Sequence, residues 1–337
     1  MLFHRELFFS RMVALGAGLW LGLMGGAAED FSDNFLPILR QPGLFKSLTE
    51  PPCSYVSTEH RKGFVRYDDP AIAWIRGPHN GGAVPLRHFL NGPRIINDTY
   101  GLFFYDPDAG FISVFEKDYG YEFEGWRNGI MIARGPDGTL YSTLSGRGID
   151  GPKKGDRLKR VPSVPTEWGH WLMLHPESTA YNLFDGKKYP VAEVGTKPNP
   201  SFLKAVETSD DRMPAEALVL GVEKGAGRAY SLVTDRERLV YNDTIEGTNI
   251  AVFFYGPTGS GVTFESTVDD RALTFRADEI APETAPFMDN ETNSRWTLAG
   301  RAVDGPLQGK ELTWVDSIQC KWVAWANEYP ETEVFEN

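Results

Sequence analysis

One short segment places two carboxylates close together in a loop. Asp106 and Asp108 stand at alternate positions after Tyr105, and the loop also contains Pro and Gly. Such a pair could contribute to a cation site, but Ca²⁺ takes about six to eight oxygen ligands and no EF-hand-like spacing follows. Because acidic loop residues are commonly exposed, we expect solvated carboxylates here.

A second candidate is an arginine and an aspartate that occur twice. Arg147 and Asp150 return as Arg301 and Asp304. Carboxylates about 5–10 Å apart could flank a glycosidic bond, but residues kept in both halves of a duplicated chain more often maintain each half. Turn and salt-bridge roles are therefore favoured. The candidate ligand-binding residues chosen from these segments are Tyr105, Asp106, Asp108, Arg147 and Arg301.

The histidines give a weaker signal. His170 and His175 are five residues apart, so they are not aligned as helical ligands at i and i+4 would be. His79 and His88 flank a Gly-Gly turn and could meet across a hairpin, but two ligands are few for a metal site. The chain also lacks a Gly-x-Ser-x-Gly elbow, a phosphate loop and a dinucleotide fingerprint. We predict no catalytic residue, metal or cofactor.

The chain has only two cysteines, Cys53 and Cys320. In an oxidising compartment they could form a disulfide that ties the N-terminal segment to the last helix. Two unpaired buried thiols are an equally good interpretation, because free cysteine behaves as a small apolar residue. The sequence leaves both alternatives open.

These residues lie in a unit that the sequence contains twice. Segments recur in the same order, with 94–99, 103–107 and 145–152 returning at 239–244, 253–257 and 299–306. The period is too long for a solenoid, whose repeats span about 20–50 residues. Short β-branched and aromatic runs between Gly, Pro, Asn and Asp predict strands. We therefore predict a mainly β fold of two homologous β-rich units in a pseudo-symmetric arrangement, each closed by one short amphipathic helix.

The same patterns give boundaries. We predict a signal peptide or N-terminal anchor at 1–28, an irregular strap at 29–63, a first repeat at 64–180, a linker at 181–214 and a second repeat at 215–337. Within the repeats, both Asn-Asp-Thr triplets (97–99 and 242–244) are predicted turns. The closing helices are predicted from an N-cap at Thr166 to Pro176, and from Asp316 to Tyr329. Their tryptophans, three residues apart, are typical of core packing: Trp168, Trp171, Trp322 and Trp325.

Composition limits the classes of function. The formal charge of −12 over 337 residues argues against binding to nucleic acid or anionic lipid, since both need clustered Lys and Arg. A basic N-terminus, an apolar stretch at 12–26 and small residues at its end are typical of a secretory signal. We therefore expect an extracytoplasmic protein, periplasmic or secreted, or one anchored by an uncleaved N-terminal segment.

Several motifs together resemble domain-of-unknown-function family 3179. They are the repeated Asn-Asp-Thr triplet, the Tyr-x-Pro segments at 105–107 and 255–257, the Gly-x-x-x-x-Gly-Pro element at 146–152 and the Trp-x-x-Trp helix that ends before Pro. The resemblance covers roughly 64–335. It implies an exported bacterial or archaeal protein and supplies no reaction.

The departures from that family concern reactive side chains. Members usually carry His-Glu just before the first Asn-Asp-Thr and Tyr-Cys-Pro-Leu-Cys-Gly after it, which would suit a soft metal or a thiol site. Here Pro93 stands at the histidine position, and Asp106 and Ala109 stand at the cysteine positions. Residues 255–259 of the second copy offer no replacement.

We therefore expect an exported, non-catalytic binding or scaffold protein, with a role as an accessory subunit of an envelope or membrane complex. Its partner would be an envelope protein or a small extracellular ligand. The alternative is an extracytoplasmic carboxylate-dependent hydrolase or carbohydrate-active enzyme with Asp and Glu between the repeats. Whether the protein is an enzyme stays open, with the lost family positions favouring a non-enzyme.

Overall fold

β-Strands account for most of the regular structure, so the prediction of a mainly β fold is confirmed. The computed structural model describes residues 38–75, 81–90, 92, 94–184 and 210–336. The predicted signal or anchor, His79, Pro93 and the middle of the predicted linker lie outside these residues. Over the described ranges, no helix is both long and apolar enough to cross a bilayer.

The first half contains fourteen strands and three helices among its described residues. In chain order they are β1 (Leu39–Arg40), β2 (Ser47–Thr49), β3 (Cys53–Tyr55), α1 (Val56–Arg61), β4 (Pro70–Ile75), β5 (Gly81–Pro85), α2 (Arg87–Leu90), β6 (Ile95–Asn97), β7 (Leu102–Asp106), β8 (Phe111–Phe115), β9 (Glu122–Arg127), β10 (Ile130–Arg134), β11 (Leu140–Ser142), β12 (Gly148–Asp150), β13 (Ser163–Glu167), α3 (Trp168–Leu174) and β14 (Thr179–Tyr181).

The second half begins after the predicted linker. Its elements are β15 (Leu218–Val222), β16 (Arg228–Ser231), β17 (Arg238–Ile245), β18 (Thr248–Tyr255), a 3₁₀ turn (Gly256–Thr258), β19 (Ser260–Glu265), β20 (Thr267–Val268), β21 (Arg271–Ala272), β22 (Phe275–Ala277), β23 (Phe287–Asp289), β24 (Arg295–Trp296), β25 (Ala302–Asp304), β26 (Ser317–Lys321), α4 (Trp322–Glu328) and β27 (Glu333–Val334).

The two halves repeat one sheet strand by strand. The orders are β13-β4-β5-β14, extended by β3, and β26-β15-β16-β27. In each sheet the first two pairings are antiparallel and the third is parallel. The register also agrees, because Ser163 pairs with Trp74 as Ser317 pairs with Val222. The copies therefore share topology and register, while their pseudo-symmetric packing stays a prediction.

The remaining strands also correspond between the halves. Strands β6-β7-β8 and β17-β18-β19 form antiparallel three-stranded units, and β2 extends the first of them. Strands β9 to β12 form a sheet that β1 extends, and β22 to β25 form its counterpart. From residue 38 onwards, the strap that was predicted to be irregular therefore contributes β1, β2 and β3 to three different sheets.

The tryptophans of α3 and α4 pack in the core, as their spacing predicts. Trp168, Trp171, Trp322 and Trp325 are at most 1% exposed. In each half, a helix tryptophan also donates a hydrogen bond to the hydroxyl group of the residue just before the next strand. The indole N–H of Trp171 donates to Ser178 Oγ at 2.8 Å, and that of Trp325 donates to Thr332 Oγ1 at 2.8 Å.

The predicted helix starts are wrong. Thr166 lies in β13, and Glu167 is the N-cap of α3 without a side-chain capping bond. In the second half, 317–321 form β26 rather than the start of a helix. Pairing along β15 supplies backbone partners to this segment, and the helix begins only where that pairing ends. Tertiary pairing therefore overrides the local helical pattern.

The Asn-Asp-Thr triplets differ in structure but share one interaction. Asn97 ends β6 and a turn follows, as predicted, whereas Asn242 lies inside β17, so the second predicted turn is wrong. There the turn lies at Glu246 and Gly247, where φ is positive. The Asn97 amide bonds the backbone N–H and C=O of Tyr121 at 2.9 and 3.2 Å. The Asn242 amide bonds those of Phe275, both at 2.8 Å.

The disulfide alternative is not present in the structure. Cys53 is exposed in β3, Cys320 is buried in β26, and both thiols are free. The two strands belong to different sheets, which explains why the cysteines do not meet. Of the two free thiols, only Cys320 is buried.

Candidate functional site

Asp106 holds the loop that carries it. It ends β7 and is 1% exposed, so the expectation of a solvated carboxylate is wrong for this residue. Its Oδ1 accepts the backbone N–H groups of Asp108 and Ala109 at 3.1 Å, and its Oδ2 accepts that of Met131 at 2.7 Å. Burial raises its pKa to about 6, more than these hydrogen bonds lower it. Asp108 is half-buried.

The loops that follow the two equivalent strands border one cavity. Tyr105 and Gly110 of the first copy and Thr258 and Gly259 of the second line a space of about 280 Å³, which we name the loop cavity. The Arg94 guanidinium lies 5.0 Å from the centre of the Tyr105 ring. In this loop, the Asp106 carboxylate is bonded to backbone and Ala109 is buried.

The repeated arginines and aspartates do not converge on one site. Asp150 Oδ1 accepts the N–H of Gly151 at 2.9 Å, and Asp304 Oδ1 accepts that of Gly305 at 2.8 Å, which fits the predicted turn role. Arg147 lines neither the loop cavity nor the second cavity described below, whereas Arg301 lines the second. The five candidate ligand-binding residues are thus separated.

A group of charged side chains, in which Arg160 and Glu223 are buried and Arg157 and Asp316 are partly exposed, joins the two halves. Arg157 and Arg160 come from the first half, and Glu223 and Asp316 come from the second; we name them the ion-pair network. The two Arg160–carboxylate contacts, to Glu223 and Asp316, are both 2.5 Å. Arg157 lies 2.7 Å from Glu223. The side chains of Arg160 and Glu223 are each 2% exposed.

The pKa values show how this network is balanced. Burial alone would lower the pKa of Arg160, but the carboxylates of Glu223 and Asp316 outweigh burial and raise it. Burial raises the pKa of Asp316, and the Arg160 charge opposes that shift. Glu328 lies beside the network, and burial raises its pKa too, while the Ser145 hydroxyl donates to its carboxylate. The pKa of each of these groups therefore depends on the charges of its neighbours in this junction.

The other junction contains an open space. A cavity of about 390 Å³, which we name the junction cavity, lies between strands of both halves. Its walls are mainly apolar and include Trp74, Ile75, Pro162, Leu174, Val262, Phe264, Leu312 and Trp314. The charged side chains that line it are Arg301, Glu177 and Glu311, all exposed in part. Its volume is in the range of about 300–1,000 Å³ typical of small-molecule sites.

The junction cavity and the ion-pair network occupy equivalent places in the repeat. Arg160 forms an isolated β-bridge with Phe115, and Trp314 forms the same bridge with Phe264. The backbone bond from Glu223 to Asp316 (3.0 Å) returns as the bond from Ile75 to Pro162 (3.3 Å). The matching pairs, network residue first, are Arg157 and Glu311, Arg160 and Trp314, Asp316 and Pro162, Glu223 and Ile75, and Glu328 and Leu174. Apolar side chains thus replace most of the network where the cavity lies.

His175 lines the junction cavity and is uncharged at neutral pH. Its ring centre lies 4.2 Å from that of Trp171. Burial, together with the positive charge of Arg301, lowers the pKa of His175 to about 4. The sequence interpretation set His175 aside and did not single out Trp314. Comparing the two copies position by position would have identified Trp314, because it replaces a buried arginine.

A metal centre is not apparent in the part of the chain that the structure describes, where no three or more His, Cys, Asp or Glu side chains cluster suitably.

Comparisons with known proteins agree with the resemblance seen in the sequence. The family model described as "Protein of unknown function (DUF3179)" matches residues 126–332, from within β9 to just before β27. No curated protein and no solved structure matches the chain. Because the match covers more than half of the 337 residues, the chain belongs to the DUF3179 family.

Proposed function

We propose that this chain is an exported, non-catalytic binding protein whose ligand occupies the junction cavity. The observation that carries the proposal is the contrast between the two equivalent junctions. One is filled by buried ion pairs, and the other leaves a space of about 390 Å³ with apolar walls and charged groups at its exposed side. If this junction served only to join the halves, we would expect close-packed side chains here instead of a cavity.

The loop that differs from the family supports a non-catalytic role. Asp106 and Ala109 stand where members carry cysteines, and Pro93 stands where they carry histidine. The Asp106 carboxylate is occupied by three backbone N–H groups, so it serves the geometry of the loop. A carboxylate that is 1% exposed and accepts three backbone N–H groups is poorly placed to exchange a proton with a substrate.

The alternative of a carboxylate-dependent hydrolase has less support. Asp106 is buried, and Asp150 and Asp304 accept the N–H groups of their own turns. Glu177 and Glu311 are the carboxylates that line the junction cavity. If ester or glycan hydrolysis were detected and then lost in Glu177→Gln or Glu311→Gln, this alternative would replace the binding role.

The cellular setting is part of the proposal. The N-terminal pattern favours export, and the charge of −12 favours partners other than nucleic acid or anionic lipid. An accessory subunit of an envelope or membrane complex fits these features. In that setting, ligand binding at a junction between halves would be communicated to a protein partner.

The test is ligand-observed NMR on the full-length chain with a fragment panel of small apolar acids, amides, alcohols and amines. Ala299 lines the junction cavity, so Ala299→Leu should fill part of it and abolish binding of the fragments that bind the wild type. Ala272→Leu, at an exposed position in β21, is the matched control and should bind normally. Absence of any binder, or binding that survives Ala299→Leu, would contradict the proposal. So would a stoichiometric transition metal in elemental analysis of the purified protein.

A further inference from the structure

We infer that the junction cavity takes a small apolar molecule with a single carboxylate, which Arg301 holds. This inference deepens the proposed function and rests on it, because it assumes that the cavity binds a ligand. It is carried by an arginine and an apolar interior that line one space.

Arg301 supplies the charge. Its guanidinium forms no ion pair with any carboxylate that the structure describes, in contrast to Arg160 in the other junction. A guanidinium presents donors in a planar fork that matches both oxygens of a carboxylate. Arg301 therefore retains its full capacity to bind an acid.

Trp314 contributes to the wall of the cavity. It lines the junction cavity, while its indole nitrogen is buried and has no hydrogen-bond acceptor among the described residues. Because a water-sized molecule does not reach this nitrogen, the N–H is not offered to a ligand in the open space. At the equivalent position, the Arg160 side chain is ion-paired with Glu223 and Asp316 of the opposite half.

The interior of the cavity favours a ligand with an apolar group. Trp74, Val262 and Phe264 are at most 5% exposed and line its wall. Burying apolar surface of a ligand against them contributes about 25 cal/mol per Å². The ligand should therefore combine an aromatic or branched aliphatic group with its acid.

The charges around the cavity limit the ligand to one negative charge. The positive charge of Arg301 acts on His175, whose own imidazole stays neutral at pH 7. Glu177 and Glu311 line the same space and would repel a second carboxylate. We therefore expect monocarboxylates to be preferred over dicarboxylates with the same apolar body.

The experiment is isothermal titration calorimetry of the full-length chain with four matched probes. They are 3-phenylpropanoate, its amide, 3-phenylpropylamine and phenylsuccinate. The monocarboxylate should bind at least about tenfold more tightly than the amide, because a hydrogen bond to a charged group contributes more than a neutral one. The amine and the dicarboxylate should bind more weakly than the monocarboxylate.

Variants assign the preference to residues. Arg301→Gln should reduce affinity for 3-phenylpropanoate by about tenfold or more and leave the amide nearly unchanged. Trp314→Phe keeps an aromatic side chain in the wall and should change this affinity little. Arg147→Gln changes the equivalent residue of the first half, which lies outside the cavity, and should bind like the wild type. Thermal unfolding of each variant establishes that it is folded.

The outcomes separate the two proposals. Equal affinity for acid and amide, or an Arg301→Gln variant with unchanged affinity for the acid, overturns the carboxylate inference. If the four probes fail but other fragments bind and are blocked by Ala299→Leu, the inference fails and the proposed function stands. If nothing binds, both fail.

Discussion

Arg160 and Trp314 occupy the same backbone position in two copies of one repeat, Arg160 opposite Phe115 and Trp314 opposite Phe264. Arg160 is buried and ion-paired to the other half, with its guanidinium 4.9 Å from the centre of the Phe115 ring. Trp314 borders a cavity and leaves its indole N–H unpaired within the described structure. The same position therefore carries an ion pair that joins the halves in one copy, and it borders an open cavity in the other.

The ion-pair network should couple the two halves energetically. Arg160→Met removes the cation between Glu223 and Asp316, and we expect it to lower the free energy of unfolding by about 3–5 kcal/mol, because buried charges lose their partner. The double variant Arg160→Met/Glu223→Leu should cost less than the sum of its single variants, since removing both charges avoids an unpaired one. Urea unfolding followed by tryptophan fluorescence measures each value.

The control for this cycle is Arg236→Met, which changes an exposed arginine and should alter stability by no more than about 0.5 kcal/mol. Strictly additive effects of Arg160→Met and Glu223→Leu would show that the two residues do not interact.

The two repeated asparagines should differ in importance. Asn97 is 1% exposed, whereas Asn242 is exposed, although both amides bond one residue's N–H and C=O. Asn97→Ala leaves the buried Tyr121 N–H without its acceptor, while the Tyr121 C=O keeps the Ser47 hydroxyl as a donor, and should cost about 1–3 kcal/mol. Asn242→Ala should cost about 1 kcal/mol or less, because water can replace the amide. Thermal unfolding of both variants tests the difference, and equal losses would contradict it.

Asp106 should give stability a pH dependence of defined sign. Burial raises its folded-state pKa from 3.8 to about 6, so above pH 6 the folded protein contains a buried charge. As the pH falls through 6, the folded state takes up a proton before the unfolded state does, and stability rises. Relative to Asp106→Asn, the wild type should gain about 1 kcal/mol between about pH 7.5 and about pH 5.

Chemical denaturation at both pH values measures this difference. Asp304→Asn, which changes an exposed carboxylate, should show the same pH profile as the wild type. If Asp106→Asn also follows the wild type, Asp106 does not titrate in this way.

The cysteines should react differently with a thiol reagent. Cys53 is exposed and should react with Ellman's reagent in the folded protein. Cys320 is fully buried, and burial raises the pKa of its thiol, so it should react only after unfolding. A Cys53–Cys320 peptide in a non-reducing digest of folded protein would contradict the free thiols.

The sequence predicts the features that depend on repeated local patterns. The mainly β character, the duplicated order of segments and the core position of Trp171 and Trp325 all follow from composition and spacing. The boundary at Lys321–Trp322 does not, because residues 317–321 become a strand only through pairing with β15. Helix-like spacing in a short apolar run is ambiguous until its neighbour is known.

The candidate sites were harder to predict, because they depend on contacts between distant residues. Asp106 is buried by the β9–β10 hairpin, whose Met131 N–H it binds from 25 residues away. Arg160 and Glu223 are separated by 63 residues. Of the candidates chosen from sequence, Arg301 lies at the junction cavity and Tyr105 at the loop cavity. Trp314 stands out because it differs from Arg160 at the equivalent position of the other copy, whereas the sequence candidates Arg147 and Arg301 were chosen because they are identical.

The range of the family match bears on how general the cavity is. Residues 126–332 include every member of the ion-pair network, whereas Trp74, Ile75 and Gly81, which form one wall of the junction cavity, precede the matched range. Relatives recognised by that range alone can thus preserve the bond between halves and still build this wall from other side chains. Ligand preference would then diverge among members while the scaffold that presents it stays the same.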